Sequence, residues 1–149
     1  MLFYIFVICC ICLYFYIILK KQKGITIIQT TIEKVHDGLL FEKYPIVIDS
    51  KIVSSEYLFE TLFKYLYISK QTQTCPVSEE RKVLGVYNIV HNENQEVLDV
   101  FVKNENDFVE IKLNPFSVLI IPSRWYVKCK NEINIIELYD LTHLLFKFI

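Results

Sequence analysis

The chain has 149 residues, with 16 basic and 17 acidic side chains and a formal net charge of -1. This balance argues against nucleic-acid binding driven by phosphate neutralisation, which requires an excess of basic residues. Five cysteines, three of them inside one apolar segment, do not make a disulfide framework. Apart from residues 1–23, about 125 residues remain, which is enough for one domain with its own core and too few for two.

Residues 2–19 form an uninterrupted apolar segment, LFYIFVICCICLYFYIIL, and Lys20, Lys21 and Lys23 follow it. Eighteen residues at a helical rise of 1.5 Å give about 27 Å, close to the thickness of the hydrocarbon core of a bilayer. A cleavable signal peptide would begin with basic residues and end in small ones, and a core helix would have a polar face. The sequence therefore predicts an uncleaved, single-pass transmembrane anchor with a basic flank over residues 1–23.

The basic residues lie on one side of the apolar segment only. By the positive-inside rule, this predicts that the N-terminus lies outside and that the domain of residues 24–149 lies in the cytosol. Membrane lipid is then the expected partner of residues 2–19. Cys9, Cys10 and Cys12 are expected to behave there as small apolar side chains.

The first part of the domain predicts short strands and one helix. Strands are expected at residues 25–33, 39–41 and 45–49, with a turn at the Asp37-Gly38 dipeptide. An amphipathic helix is expected at about residues 54–68, because serine can cap its start and apolar residues recur at helical spacing. Those apolar residues are Leu58, Phe59, Leu62, Phe63 and Leu66.

The second part of the domain predicts a polar loop followed by a run of strands. Residues 70–82 are mostly polar and are expected to form the loop. Short β-rich segments separated by turn residues then indicate an antiparallel sandwich or barrel. These segments are residues 83–90, 97–102, 107–113, 117–122, 125–129 and 133–141. The tail, residues 142–149, fits either a last strand or a short helix.

Residues 111–131 read IKLNPFSVLIIPSRWYVKCKN. With the strand and helix upstream, this stretch resembles the cupin-like double-stranded β-helix, and in particular its JmjC-like branch. The matching positions are Leu113, residues 118–121, Pro122, Trp125 and Asn131. The resemblance implies a mainly β (α+β) fold for residues 24–149, a jelly roll with one amphipathic helix.

Active members of that family hold iron with two histidines and one carboxylate, which leave positions open for oxygen and cosubstrate. His91 and Glu93 match the first histidine and the carboxylate, but Tyr126 and Val127 stand where the second histidine belongs, and Phe116 replaces a family glycine. The resemblance therefore implies a degenerate metal site without a cofactor and without catalytic residues. His91 and Glu93 are explained more simply as polar residues of a solvated hairpin loop.

Few other residues point to chemistry. Arg124, Trp125 and Tyr126 are candidates for contact with a ligand or a protein partner, since an aromatic pair lies there beside a basic residue. A catalytic Cys–His pair would have to use Cys75 or Cys129, and it needs a spatial neighbour that the sequence does not reveal.

These observations predict a membrane-anchored, non-catalytic binding or structural module that holds a protein partner. Its composition resembles that of membrane proteins of large DNA viruses. One alternative is a membrane-anchored oxygenase, dependent on ferrous iron and 2-oxoglutarate, with an atypical third ligand beside His91 and Glu93. A third reading is a jelly roll that binds a sugar or another small ligand without a metal and stacks it on Trp125 and nearby tyrosines, which would require an accessible indole ring.

Overall fold

The computed structural model describes residues 1–19, 25–35, 37–49, 51–52, 54–105 and 107–147. The predictions for Lys20, Lys21, Lys23 and Gly24 fall outside these residues. The helices are α1 (Leu2–Leu19), α2 (Asp37–Phe41), α3 (Ser55–Thr61) and α4 (Leu141–Lys147), with a 3₁₀ turn at Ile32–Lys34. The strands are β1 (Ile28–Thr30), β2 (Ile46–Ile48), β3 (Ser69–Cys75), β4 (Arg81–Lys82), β5 (Tyr87–His91), β6 (Leu98–Lys103), β7 (Phe108–Leu113), β8 (Val118–Pro122), β9 (Tyr126–Cys129) and β10 (Ile133–Tyr139).

The strands form two facing sheets. The larger sheet has six strands in the order β1-β2-β8-β5-β10-β3, and the smaller has four in the order β4-β9-β6-β7. Strand β3 pairs with β10, β4 with β9, β5 with β8 and β6 with β7, all antiparallel. The segment from β3 to β10 is therefore one long antiparallel hairpin, folded over so that its successive strand pairs alternate between the two sheets.

Two apolar cores lie on opposite faces of the larger sheet. One fills the space between the sheets and includes Val90 and Trp125. The other lies between the larger sheet and helices α2 and α3, and it includes Ile89. Ile89 and Val90 are neighbours in β5, so the alternation of side chains along a strand decides which core each residue joins.

The predicted helix at 54–68 is shorter than expected. Ser54 caps helix α3, because its side chain accepts a hydrogen bond from the amide of Glu56, and the helix ends at Thr61. Beyond it the chain turns, and the amide of Ile68 donates to the carbonyl of Tyr139, which leads the chain into β3. This tertiary pairing with β10, rather than the helical periodicity of the sequence, sets the path of residues 62–68.

Three further predictions of secondary structure are wrong. The turn expected at Asp37-Gly38 and the strand expected at residues 39–41 both lie in α2, and the expected loop at 70–82 contains β3 and β4. Strand β3 has the sequence SKQTQTC and pairs over its whole length with the apolar strand β10. Ladder pairing with a neighbour can thus make a strand of a segment whose own side chains are polar.

The apolar segment at the N-terminus forms the predicted helix, α1, with the expected bounds Leu2–Leu19. Residues 1–17 are all exposed, among them Phe3, Phe6 and Tyr16. Among the residues that the structure describes, no helix combines the length and the apolar character needed to cross a membrane.

Candidate functional site

His91 and Glu93, the metal candidates from the sequence, do lie side by side at the end of β5. The distance from His91 Nδ1 to Glu93 Oε1 is 3.4 Å, and His91 Nε2 lies 2.6 Å from the carbonyl oxygen of Ile52. The side chain of His91 is 4% exposed and that of Glu93 is 71% exposed. Within the described residues no three histidine, cysteine or acidic side chains form a group that could hold a metal ion. This pair therefore lacks the third ligand of a facial iron site.

Trp125 lies on the other face of the larger sheet from His91. The indole is 5% exposed and packs in the core between the sheets, whereas His91 is two residues after Ile89 and shares its helix-covered face. The fold therefore does not bring these two candidates together. Burial of Trp125 also argues against its use as a stacking surface for a sugar.

Arg124 and Tyr126, the neighbours of Trp125, lie at the turn from β8 to β9. Arg124 is exposed and adopts the left-handed conformation, with φ of 68°. The ring of Tyr126 is flanked by Lys82 Nζ at 5.6 Å and Lys103 Nζ at 5.7 Å from its centroid. Of the predicted contact residues, these two are the ones that solvent or a partner can reach.

Phe116 lies in the turn before β8 and adopts a backbone conformation that favours glycine. Its φ is 61°, in the left-handed region that side chains disfavour. The conformation is fixed by two backbone hydrogen bonds, from the amide of Phe116 to Asn92 at 2.8 Å and from the amide of Ile52 to Phe116 at 3.0 Å. The strained turn is thus present without glycine.

The sequence did not point to the most buried acidic group among the described residues, Glu137 in β10, which is 1% exposed. Its carboxylate accepts hydrogen bonds from Tyr139 Oη at 2.5 Å, from Gln73 Nε2 at 3.1 Å and from the amide of Leu84 at 3.3 Å. These donors come from β10, from β3 and from the segment between β4 and β5. The carboxylate therefore ties together three parts of the chain inside the sandwich.

The surroundings of Glu137 favour a structural role. Burial, followed by the hydrogen bond to Glu137, raises the pKa of the Tyr139 phenol. The phenol therefore stays protonated and keeps donating at any physiological pH. Each carboxylate oxygen already has a donor, so a ligand would have to displace a protein group. The alternation of Gln71 and Gln73 with threonines in β3 is the sequence signal that could have revealed this polar lining.

The two cysteines of the domain are buried and poorly suited to nucleophilic chemistry. Burial raises the pKa of the Cys75 thiol, and burial together with Cys75 raises the pKa of Cys129 to about 12. A thiol must ionise to react, so burial disfavours nucleophilic chemistry at both cysteines. His143, a possible partner, instead lies 2.7 Å from Asp140 through Nδ1.

One end of the larger sheet faces helix α1. Tyr14 Oη of α1 lies 2.9 Å from Thr142 Oγ1 of α4, and Lys43 Nζ donates to the carbonyl of Ile17 at 2.8 Å. Strand registers bring to this end the starts of β2, β3 and β5 and the ends of β8 and β10. His91 lies at the opposite end, paired with Val118.

Comparison of the chain with models of protein families, with curated proteins and with solved structures finds no match. The function of this chain is therefore inferred from the arrangement of its own residues.

Proposed function

We propose that this protein is a membrane-anchored, non-catalytic module that holds a protein partner at a membrane. In this proposal residues 2–19 are the anchor, the N-terminus lies outside, and residues 24–149 form a cytosolic domain of the double-stranded β-helix type. The origin in a large DNA virus, which the composition favours, stays a prediction.

The observation that carries the proposal is the surface of α1. Its 18 residues include no charged side chain, and those of residues 1–17 are exposed to solvent. An apolar surface of this size is costly in water and marks an interaction site for membrane or protein. At a rise of 1.5 Å the helix is about 27 Å long, slightly shorter than a hydrocarbon core of ~30 Å. Local thinning of the bilayer and lysines that reach to the headgroups accommodate such a shortfall at modest cost.

The pairing of the strands supports the assignment of the fold. A jelly roll is a long antiparallel hairpin rolled into two sheets. Strands β3 to β10 follow this pattern, because the outermost strands β3 and β10 pair with each other and the pairing continues inward to β6 with β7. The left-handed conformation of Phe116, at the position of a family glycine, adds a local argument.

Three features favour a binding role over catalysis. The space between the sheets is filled by apolar side chains around Trp125, the carboxylate of Glu137 is satisfied by protein donors, and His91 has one acidic neighbour. An active site needs an open position beside its reactive groups. The anchored domain is thus better suited to presenting its outer surface to a partner.

Extraction of membranes at alkaline pH tests the anchor. The full chain should stay in the membrane pellet, while a chain with Ile8→Arg and Leu13→Arg should be released, because a charge near the middle of a span opposes insertion. A matched control carries Val77→Arg and Val97→Arg, at positions that are exposed outside α1, and should stay in the pellet. Release of the unmodified chain would overturn the proposal.

A second candidate, the iron-dependent oxygenase, is favoured by one observation. His91 Nδ1 is buried without a hydrogen-bond partner and lies 3.4 Å from Glu93. Purified full chain offered ferrous iron and 2-oxoglutarate should contain far less than one iron per molecule if the module is non-catalytic. One iron per chain that is lost with His91→Ala or Glu93→Ala would establish the oxygenase instead.

A further inference from the structure

We infer that the end of the domain beside α1 lies on the membrane surface, where its basic residues bind anionic lipid headgroups and α4 enters the interfacial layer. We call this the membrane-facing end and define it by residues 43, 65, 68, 82, 103, 124, 141 and 145. The inference rests on the proposed anchoring by α1 and adds a lipid specificity and an orientation to it.

The first argument is the position of α4 along α1. Tyr14, which contacts Thr142, lies five residues before Leu19, the last residue of α1. At the helical rise this is about 7.5 Å. When α1 is inserted in the membrane up to Leu19, the contact between Tyr14 and Thr142 holds α4 below the membrane surface. The resulting depth of about 5–10 Å is that at which interfacial helices lie. The hydrogen bond from Lys43 to the carbonyl of Ile17 holds the loop between α2 and β2 near the same depth.

The second argument is the chemistry of the side chains around α4. Leu141 and Leu145 are 60% and 59% exposed, and their spacing of four residues places them on one face of the helix. Ile68, bonded through its amide to Tyr139 just before α4, is 68% exposed, and Tyr65 nearby in sequence is 87% exposed. Leucine, isoleucine and tyrosine at this level match the apolar and amphipathic groups that interfacial segments present to lipid.

Basic side chains cluster at the same end of the domain as α4. Lys82 and Lys103 flank Tyr126 at this end, and Arg124 is exposed at the adjacent turn. Glu80 lies 3.6 Å from Lys103 and offsets one of these charges. Lys82 and Lys103 both pair with Tyr126, the first residue of β9, and the short turn from the end of β8 to β9 places them at the same end of the sandwich as α1. Lysine and arginine next to an anchor attract the anionic lipids of a leaflet.

We therefore take lipid headgroups to be the anionic partner of these basic residues. The position of α1 favours lipid over an acidic protein, because α1 is the proposed membrane anchor. An acidic partner would compete for the same lysines but would leave α4 exposed to solvent.

Hydrogen exchange of the full chain in lipid nanodiscs tests the inference. Discs that contain phosphatidylserine should slow exchange in residues 141–147 and 123–126 by at least about fivefold relative to phosphatidylcholine discs, since each basic residue at an anionic surface is expected to contribute about that factor. High salt should remove the difference. Lys82→Gln with Lys103→Gln should reduce it by about fivefold or more, while the charge-matched control Lys51→Gln with Lys112→Gln, at exposed positions away from this end, should keep it.

The outcomes separate the inference from the proposed function. A chain that alkaline treatment releases from membranes refutes the anchor. A chain that stays anchored but exchanges equally fast in both kinds of disc refutes the membrane-facing end alone. Equal thermal midpoints for the two double variants ensure that loss of the lipid effect is not loss of the fold.

Discussion

The hydroxyl of Tyr139 donates a 2.5 Å hydrogen bond to the carboxylate of Glu137, two residues earlier on the same face of β10. Residues two apart in a strand point the same way, so both side chains enter the space between the sheets. Gln73 and the amide of Leu84 complete the set of donors. A buried charge with three donors makes this cluster the most sensitive polar point of the domain.

We expect Glu137→Leu to lower the free energy of unfolding by about 3–5 kcal/mol, because three buried donors lose their acceptor. Tyr139→Phe removes one donor to a charged group and should cost about 1.5–3 kcal/mol. Urea unfolding of the full chain in mild detergent measures both changes. The exposed Glu132→Leu serves as control and should stay within about 0.5 kcal/mol. A Glu137→Leu variant as stable as this control would contradict the assigned role.

Stability should fall in alkaline solution because of Cys129. Its pKa is raised from 9.0 to about 12 by burial, so the folded protein keeps the thiol proton that the unfolded chain releases. The contribution is complete below about pH 9 and is lost progressively as the pH rises toward 12. The raised pKa of Tyr139 acts in the same direction.

Urea midpoints between about pH 8 and about pH 11 measure this dependence. Cys129→Ala should be less stable at neutral pH because it leaves a small cavity, but its midpoint should fall less steeply with pH. Equal slopes for the two proteins would show that Cys129 does not contribute to the pH dependence.

Gly85→Ala should destabilise the domain by about 1–3 kcal/mol through overpacking. A Cβ at this position would lie 2.7 Å from Asn88 Oδ1, 2.8 Å from the carbonyl oxygen of Leu138 and 2.9 Å from its nitrogen. Two of these contacts are backbone atoms of a central strand, which cannot move without breaking the pairing of β5 with β10. The thermal midpoint should fall clearly below that of Thr72→Ala, a control at an exposed strand position; an unchanged midpoint would show that the strand can shift.

Asp140 caps α4, since its Oδ1 accepts from the amide of His143 at 2.7 Å. Asp140→Ala should cost about 1 kcal/mol and speed hydrogen exchange in residues 141–147. Asp140→Asn retains a capping oxygen and should change exchange little. If both variants exchange like the unmodified chain, tertiary contacts rather than the cap hold α4 in place.

Several parts of the fold follow from local sequence. The uninterrupted apolar run gives α1 its bounds, and the β-branched segment at residues 45–49 contains β2, as predicted. The later strands, from β5 to β10, fall where short apolar segments alternate with turn residues. In each case the signal is carried by the composition of the segment itself, which is why one sequence sufficed to find it.

Other parts depended on tertiary structure. Polar β3 becomes a strand because β10 offers it a complete ladder, and residues 62–68 depart from the predicted helix on the way to that ladder. The sequence suggested His91 and Trp125 as possible site residues, but the folded sheet separates them onto opposite faces. Local composition therefore sets where apolar segments form regular structure. Which polar groups meet depends on the three-dimensional fold, because contacts such as that of Gln73 with Glu137 join residues far apart in the chain.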